Sequence, residues 1–243
     1  MIILILIGLS VGLLSGFFGI GGGTILIPLL LATGYDIKIA VGISVVQMLF
    51  SSIFGSYINH KKGTLDIKMV LSIGFGGFIG ALFSGLITSN VDDFTLEIIF
   101  LTFAIFALLR LFFKTKEHKS EKKVKKSVLF LIGFPIGAMS MSIGVGGSII
   151  LVPILVGFLN VSLKKATSSG LFFVVFSSIA GFISHYFNDV IDYKSGIIIG
   201  LASMIGVYVG IFVKDKVEHN FQRKLLVLFY MMIVIYLGQR IFL

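Results

Sequence analysis

Two glycine-rich segments stand out as places where the backbone itself could do chemistry. They are Gly19-Ile20-Gly21-Gly22-Gly23-Thr24, ahead of Pro28, and Gly144-Val145-Gly146-Gly147-Ser148, ahead of Pro153. Proline lacks an amide hydrogen and clashes with the carbonyl four residues earlier, so a helix carrying Pro28 starts no earlier than about Thr24. That helix, and its counterpart starting near Ser148 or Ile149, presents unpaired N–H groups and the positive end of a helix dipole. Glycine at such a start lets a ligand reach the backbone with no Cβ in the way. Two such starts aimed at one point form an anion site that needs no buried lysine or arginine. The candidate ligands are therefore Gly21, Gly22, Gly23 and Thr24 with Gly146, Gly147 and Ser148. A structural turn is the competing reading, but the glycines are denser here than packing requires. The stripes Gly8-xxx-Gly12-xxx-Gly16, Gly76-xxx-Gly80-xxx-Ser84 and Ala202-xxx-Gly206-xxx-Gly210 have the spacing of close helix contacts and are read as packing.

A second polar set follows each glycine segment: Ser44, Gln47, Ser51 and Ser52, then Thr167, Ser168, Ser169, Ser177 and Ser178. Ser44, Gln47 and Ser51 share one helical face by their i, i+3, i+7 spacing. Such a stripe binds anion oxygens or ties neighbouring helices together, and for Gln47 and Ser51 the two readings stand level. Gln47, Ser51 and Ser177 are taken as secondary ligands. His60 and His185 lie near span ends and read as solvated rather than as proton relays. Asp66 and Asp192 precede helical runs, where a carboxylate favours the helix dipole.

Several chemistries have no residues to carry them. The chain has no cysteine, which removes disulfides and thiolate metal sites. There is no HExxH, GxSxG or paired intramembrane aspartate, and no Walker motif. An enzyme is therefore not expected, nor a cofactor or a metal. No Asp, Glu or Lys sits in mid-span, so a carboxylate proton relay is not visible either.

The elements that must position these residues are set by composition. Of 243 residues, 57% are hydrophobic and only 13% charged, with a mean hydropathy of +1.09. That is about half the charge of an average soluble domain, which has roughly 25%, so the bilayer is the natural solvent. The net charge of +9 does not mean nucleic acid, because the charges sit between apolar runs and form no basic face with interleaved aromatics. The start, Met1–Gly19, lacks a basic n-region and a cleavage pattern and reads as part of the membrane domain.

The chain repeats itself. A shift of 125 puts Gly8, Gly12, Ser15, Gly21, Gly22 and Pro28 on Gly133, Gly137, Ser140, Gly146, Gly147 and Pro153. A shift of 126 then puts Ala40, Ser51, Ser52, Gly55 and Asp66 on Ala166, Ser177, Ser178, Gly181 and Asp192. The reading is a first membrane repeat at 1–113, a basic linker at 114–126 and a second membrane repeat at 127–243. Apolar runs near 39–59, 69–88, 94–113, 166–187, 195–213 and 222–242 have the roughly 20-residue length of a membrane span. Met1–Thr33 is too long for one span and is broken by its glycines.

Charge decides how the broken runs lie. If each crosses once, the 20 basic residues divide 13 to 7 between the two sides. If each folds back as a hairpin, they divide 17 to 3, which obeys the positive-inside rule far better. The expected fold is thus all-α integral membrane, with two inverted-topology repeats, each a glycine-broken re-entrant hairpin plus three transmembrane helices. Both termini are expected outside and the loop 110–126 in the cytoplasm.

The residues Gly12–Leu31 (GLLSGFFGIGGGTILIPLLL), their echo at Gly137–Leu155 and Ala40–Ser44 (AVGIS) resemble the TauE/SafE family of membrane permeases. The resemblance covers essentially the whole chain. It implies a prokaryotic plasma-membrane transporter of sulfur-containing anions such as sulfite, thiosulfate and sulfonates, held between the hairpin tips. Two departures are visible: the second motif reads GVGGS, and Ala166-Thr167-Ser168-Ser169 matches the family's AxGTS pattern less well than Ala40–Ser44. The expected function is alternating-access movement of a small anion, with an anion channel or a membrane subunit without transport of its own as alternatives. The expected partners are that small anionic substrate and the lipid bilayer, with no nucleic acid; a homodimer stays open.

Overall fold

The computed structural model describes residues 1–65, 67–112 and 124–242, which form helices and short turns, with no strand among them. The helices are α1 (Ile2–Phe18), α2 (Gly23–Ala32), α3 (Ile37–Lys61), α4 (Ile67–Ala81), α5 (Ser84–Asn90), α6 (Asp93–Phe112), α7 (Lys126–Ser142), α8 (Ser148–Gly157), α9 (Leu163–Tyr186), α10 (Tyr193–Lys214) and α11 (His219–Phe242). Five stretches are long and apolar enough to cross a membrane: Ile37–Lys61, Val70–Asn90, Lys164–Tyr186, Tyr193–Lys214 and Phe221–Phe242. The run 94–113 forms the 20-residue α6 as far as Phe112, the last described residue before position 124. Large apolar side chains such as Phe75, Leu131, Leu201, Ile205 and Ile235 face outward, the exterior that lipid requires. Asp66 and most of the linker 114–126 also lie outside the described residues.

Both glycine-rich runs break where expected. α1 ends on Gly19, whose φ of 69° is the left-handed cap that glycine adopts freely. α2 then starts at Gly23, one residue before the proline limit, and α8 starts at Ser148 behind Gly147 at φ 79°. Each pair consists of a 17-residue helix followed by a 10-residue one.

The small-residue stripes pair helices from opposite ends of the chain. α1 runs parallel to α10: a Cβ built on Gly12 would stand 2.1 Å from the Ser203 carbonyl oxygen, and one on Gly16 2.4 Å from that of Val207. α7 lies on α4 in the same way, with Gly80 against Phe134 and Gly137 against Gly77. At both seams the backbones touch, so anything larger than glycine has no room. α3 and α9 cross antiparallel at the centre: Ser52 meets Ser178 at 3.5 Å, and the Thr64 hydroxyl meets that of Ser168 at 2.9 Å.

Polar contacts gather at the two ends of the bundle. At one end Lys38 reaches Asp93 at 3.8 Å and the Ser89 carbonyl at 3.2 Å, while Arg240 pairs with Glu97 at 3.0 Å and also bonds the Leu31 carbonyl. At the other, Lys62 pairs with Asp215 at 2.5 Å and Lys214 donates to the Thr167 hydroxyl at 2.7 Å. Asp192 caps α10 by accepting from the Ser195 amide at 3.1 Å, the structural role expected of it.

The run 69–88 corresponds to the spanning stretch Val70–Asn90 and is bent where α4 gives way to α5. Ser184 of α9 inserts its hydroxyl into the turn at Leu82–Phe83, accepting from the Gly85 amide at 2.8 Å and donating to the Leu82 carbonyl at 2.6 Å. A side chain that takes over ladder bonds bends a helix at that point, and α5 sets off from there. His185 is not solvated but fully buried, because α5 closes over it.

Candidate functional site

The two glycine breaks meet. A Cβ on Gly23 would stand only 1.8 Å from the Gly144 carbonyl oxygen and 2.5 Å from Ser44 Oγ. Ser148 Oγ is the nearest atom to a Cβ built on Gly21, at 3.5 Å, and Gln47 Oε1 the nearest to one on Gly22, at 2.1 Å. The first break is thus packed against the second break on one side and the face of α3 on the other. All residues from Gly19 to Thr24 and from Ile143 to Ile149 are buried.

Buried backbone and side-chain polar groups are nearly always paired, and here a cluster is not. The amides of Gly21, Gly22, Gly23 and Thr24 donate to no protein acceptor among the described residues, and neither do those of Gly146, Gly147, Ser148 and Ile149. Thr24 Oγ1, Ser148 Oγ and both amide atoms of Gln47 are buried with no protein partner. Two carbonyls of the second break are covered by serine hydroxyls. Ser44 donates to the Gly144 oxygen at 2.8 Å, and Ser177 lies 3.4 Å from that of Gly146. The unpaired groups at the meeting point thus include main-chain N–H, two hydroxyls that can donate, and a carboxamide that offers both a donor and an acceptor.

Not every candidate faces this point. Ser51 bonds its own helix at the Met48 carbonyl, 3.4 Å away. Ser177 divides its hydroxyl among the carbonyls of Gly146, Phe173 and Val174. Gly146 is packed on the Met48 sulfur, and Gly147 on Phe173 and Ser140. Gly21, Gly22, Gly23, Gln47 and Ser148 come together here, with Thr24 the next residue of α2 after Gly23.

The departure at GVGGS has a spatial counterpart. Under the repeat, Gly23 corresponds to Ser148 and Ser44 to Gly170. In the first half the serine stands on α3 against a glycine in the break. In the second it stands in the break, with its Cβ 3.1 Å from where a Cβ on Gly170 would be. Side-chain volume has changed places within each pair. Ser44 as a cap on the second break could not be inferred from local spacing, because it joins residues 100 apart; aligning the halves shows the exchange.

The sulfite exporter TauE/SafE family matches residues 4–237. The chain belongs to that family. It is 27% identical over 220 residues to the probable membrane transporter protein YdhB of Bacillus subtilis, covering 86% of this chain and 88% of that protein. It is 29% identical over 193 residues to the probable membrane transporter protein MJ0441 of Methanocaldococcus jannaschii, covering 75% and 71%. A third relative, the probable membrane transporter protein YunE of Bacillus subtilis, is 24% identical over 268 residues, covering 98% and 95%. No solved structure matches. This family member is accordingly a multi-pass membrane permease rather than an enzyme.

Proposed function

We propose that the protein carries a small oxyanion, a sulfur-containing one such as sulfite, thiosulfate or a sulfonate, across the plasma membrane of a prokaryote by alternating access. The observation that supports this reading is the presence, where the two breaks meet, of buried main-chain amides and the polar side chains of Gln47 and Ser148 without protein partners. An anion accepts from all of them: amides of Gly21 to Thr24, the hydroxyls of Thr24 and Ser148, and the Gln47 carboxamide. Hydrogen bonds to a charged acceptor are roughly twice as strong as neutral ones, so no lysine or arginine is needed there.

The transport cycle rests on an inverted architecture, in which one repeat rocks against the other around a fixed site. Three observations support it. The corresponding helices α3 and α9 cross antiparallel with Ser52 against Ser178. α2 and α8 have 10 residues each, about 15 Å of helix at 1.5 Å per residue, half of a hydrocarbon core of about 30 Å. Charged pairs link Arg240 to Glu97 and Lys62 to Asp215 at opposite ends, the grouping that re-entrant hairpins require. By the positive-inside rule the Lys62 end and loop 110–126 face the cytoplasm and both termini face outside.

Reconstitution into liposomes with sulfite, sulfonates, thiosulfate, sulfate and chloride tests the reading. Wild type is expected to show saturable uptake and counterflow of one of them. Thr24→Val and Ser148→Ala preserve shape, and each is expected to lower apparent affinity about tenfold, the loss of roughly 1.4 kcal/mol. Uptake without saturation or counterflow identifies a channel. Folded variants with wild-type affinity remove these residues from the site.

A further inference from the structure

His185 is a buried ionisable group, linked through Thr88 to the start of the second glycine break, that the anion site leaves unused. It sits in α9, fully buried, with Nδ1 2.8 Å from the Gly181 carbonyl oxygen and Nε2 3.2 Å from Thr88 Oγ1. A carbonyl only accepts, so Nδ1 carries a hydrogen and donates it to Gly181. On the other side, Thr88 Oγ1 lies 2.8 Å from the Ser142 carbonyl and 2.9 Å from that of Ser84. A hydroxyl has one hydrogen. With neutral His185, the bare Nε2 competes for it with the Ser142 and Ser84 carbonyls. With a second proton on the ring, Nε2–H donates to Thr88 and Thr88 donates to Ser142, and every group is satisfied.

Ser142 is the last residue of α7 and opens the second glycine break. Its carbonyl has no backbone donor among the described residues, so Thr88 holds the end of that helix. A proton on His185 releases the Thr88 hydrogen to the Ser142 carbonyl, and its loss withdraws that hydrogen toward Nε2. The ring charge has no carboxylate beside it. The groups bonding the imidazole are Gly181 of its own helix and Thr88 of α5, with Ser84 Oγ at 3.5 Å. Charged side chains on the elements around it are Lys38 of α3, which bonds the Ser89 carbonyl, Asp93 of α6, which pairs with Lys38, and Asp189 and Asp192 in the turn after α9. None of them hydrogen-bonds the ring. A charged anion between the breaks supplies the missing counter-charge.

We infer that His185 is the coupling-ion site of this permease, binding one proton together with the anion and passing its state through Thr88 to the Ser142 carbonyl at the second break. The inference rests on the anion-permease reading, but its test has a readout that does not. In full-length protein in lipid, 15N-histidine spectra are recorded from neutral to acidic pH. His185 is expected to gain its second proton reversibly on Nε2 while Nδ1–H persists, and Thr88→Val is expected to move that transition. A ring that stays singly protonated until the protein unfolds overturns the proposal. In liposomes, an inwardly directed proton gradient is expected to accelerate anion accumulation. His185→Gln is expected to lower that accumulation at least tenfold and make the remaining exchange independent of pH. Wild-type gradient dependence in folded His185→Gln, or no gradient dependence in the wild type, overturns the coupling. Absence of any anion transport by the wild type defeats the permease reading instead, with the spectra still deciding whether His185 binds a proton.

Discussion

Replacing Gln47 by methionine separates a ligand from a packing residue. Gln47 is fully buried, and neither Oε1 nor Nε2 has a protein partner. Methionine matches its length, is unbranched and has no strong hydrogen-bonding group. A buried polar group without a partner costs about 1–3 kcal/mol. Gln47 carries two such atoms, so Gln47→Met is expected to stabilise the anion-free protein by about 2 kcal/mol, or roughly 4–8 °C in Tm for a chain of this size. The anion complex moves the other way. One hydrogen bond to a charged group is worth about 1.5–3 kcal/mol, which weakens binding about ten- to hundredfold. Thermal unfolding in detergent with and without sulfite reads both effects. The expected result is a higher Tm without anion and a lost or much reduced anion-induced shift. A Tm at or below that of the wild type without anion refutes the reasoning, because Gln47 would then be paired within the fold and unavailable to a ligand.

Neighbouring glycines give opposite outcomes. In Gly22→Ala the new Cβ meets only the mobile end of Gln47, so the protein folds but transport is expected to fall at least tenfold, measured by uptake into liposomes. In Gly23→Ala the Cβ meets the Gly144 carbonyl oxygen at 1.8 Å, and overpacking of about 1–3 kcal/mol or more is expected to appear as a lost monodisperse fraction in size-exclusion chromatography. Ser184→Ala leaves the Gly85 amide and Leu82 carbonyl without their partner, and thermal unfolding is expected to show a loss of about 1–3 kcal/mol. The Lys62 ammonium holds the Asp215 carboxyl below its ordinary range. A lowered carboxyl pKa adds stability above the unfolded-state value, lost as pH falls through the folded-state value. The pair is partly exposed, so Lys62→Met is expected to cost under about 1 kcal/mol at neutral pH and nothing once Asp215 is protonated, read from unfolding across pH.

The helical class, the two breaks and the packing stripes were legible because each rests on local chemistry: apolar length, glycine beside proline, and small residues four apart. The meeting of Gly21, Gly22, Gly23, Thr24 and Ser148 with Gln47 followed from the repeat. Ser177 had the right type and spacing, yet its hydroxyl is consumed by carbonyls, which depends on where a neighbouring turn lies. The bend after Ala81 was invisible because its cause, Ser184, is 102 residues from the Leu82 carbonyl it bonds. His185 misled for the same reason: its position near a helix end suggested water, and a short helix from elsewhere in the chain covers it.

The seams between α1 and α10 and between α4 and α7 constrain how the molecule is made. α1 leaves the ribosome long before α10, the helix against which its bare backbone strip fits. Until then Gly8, Gly12 and Gly16 have only lipid or the translocation machinery for company. Neither half completes its own interior, so separately expressed halves are expected to be degraded singly and rescued together. Closing the α1–α10 seam is therefore a late step of assembly, possible only once α10 has been made.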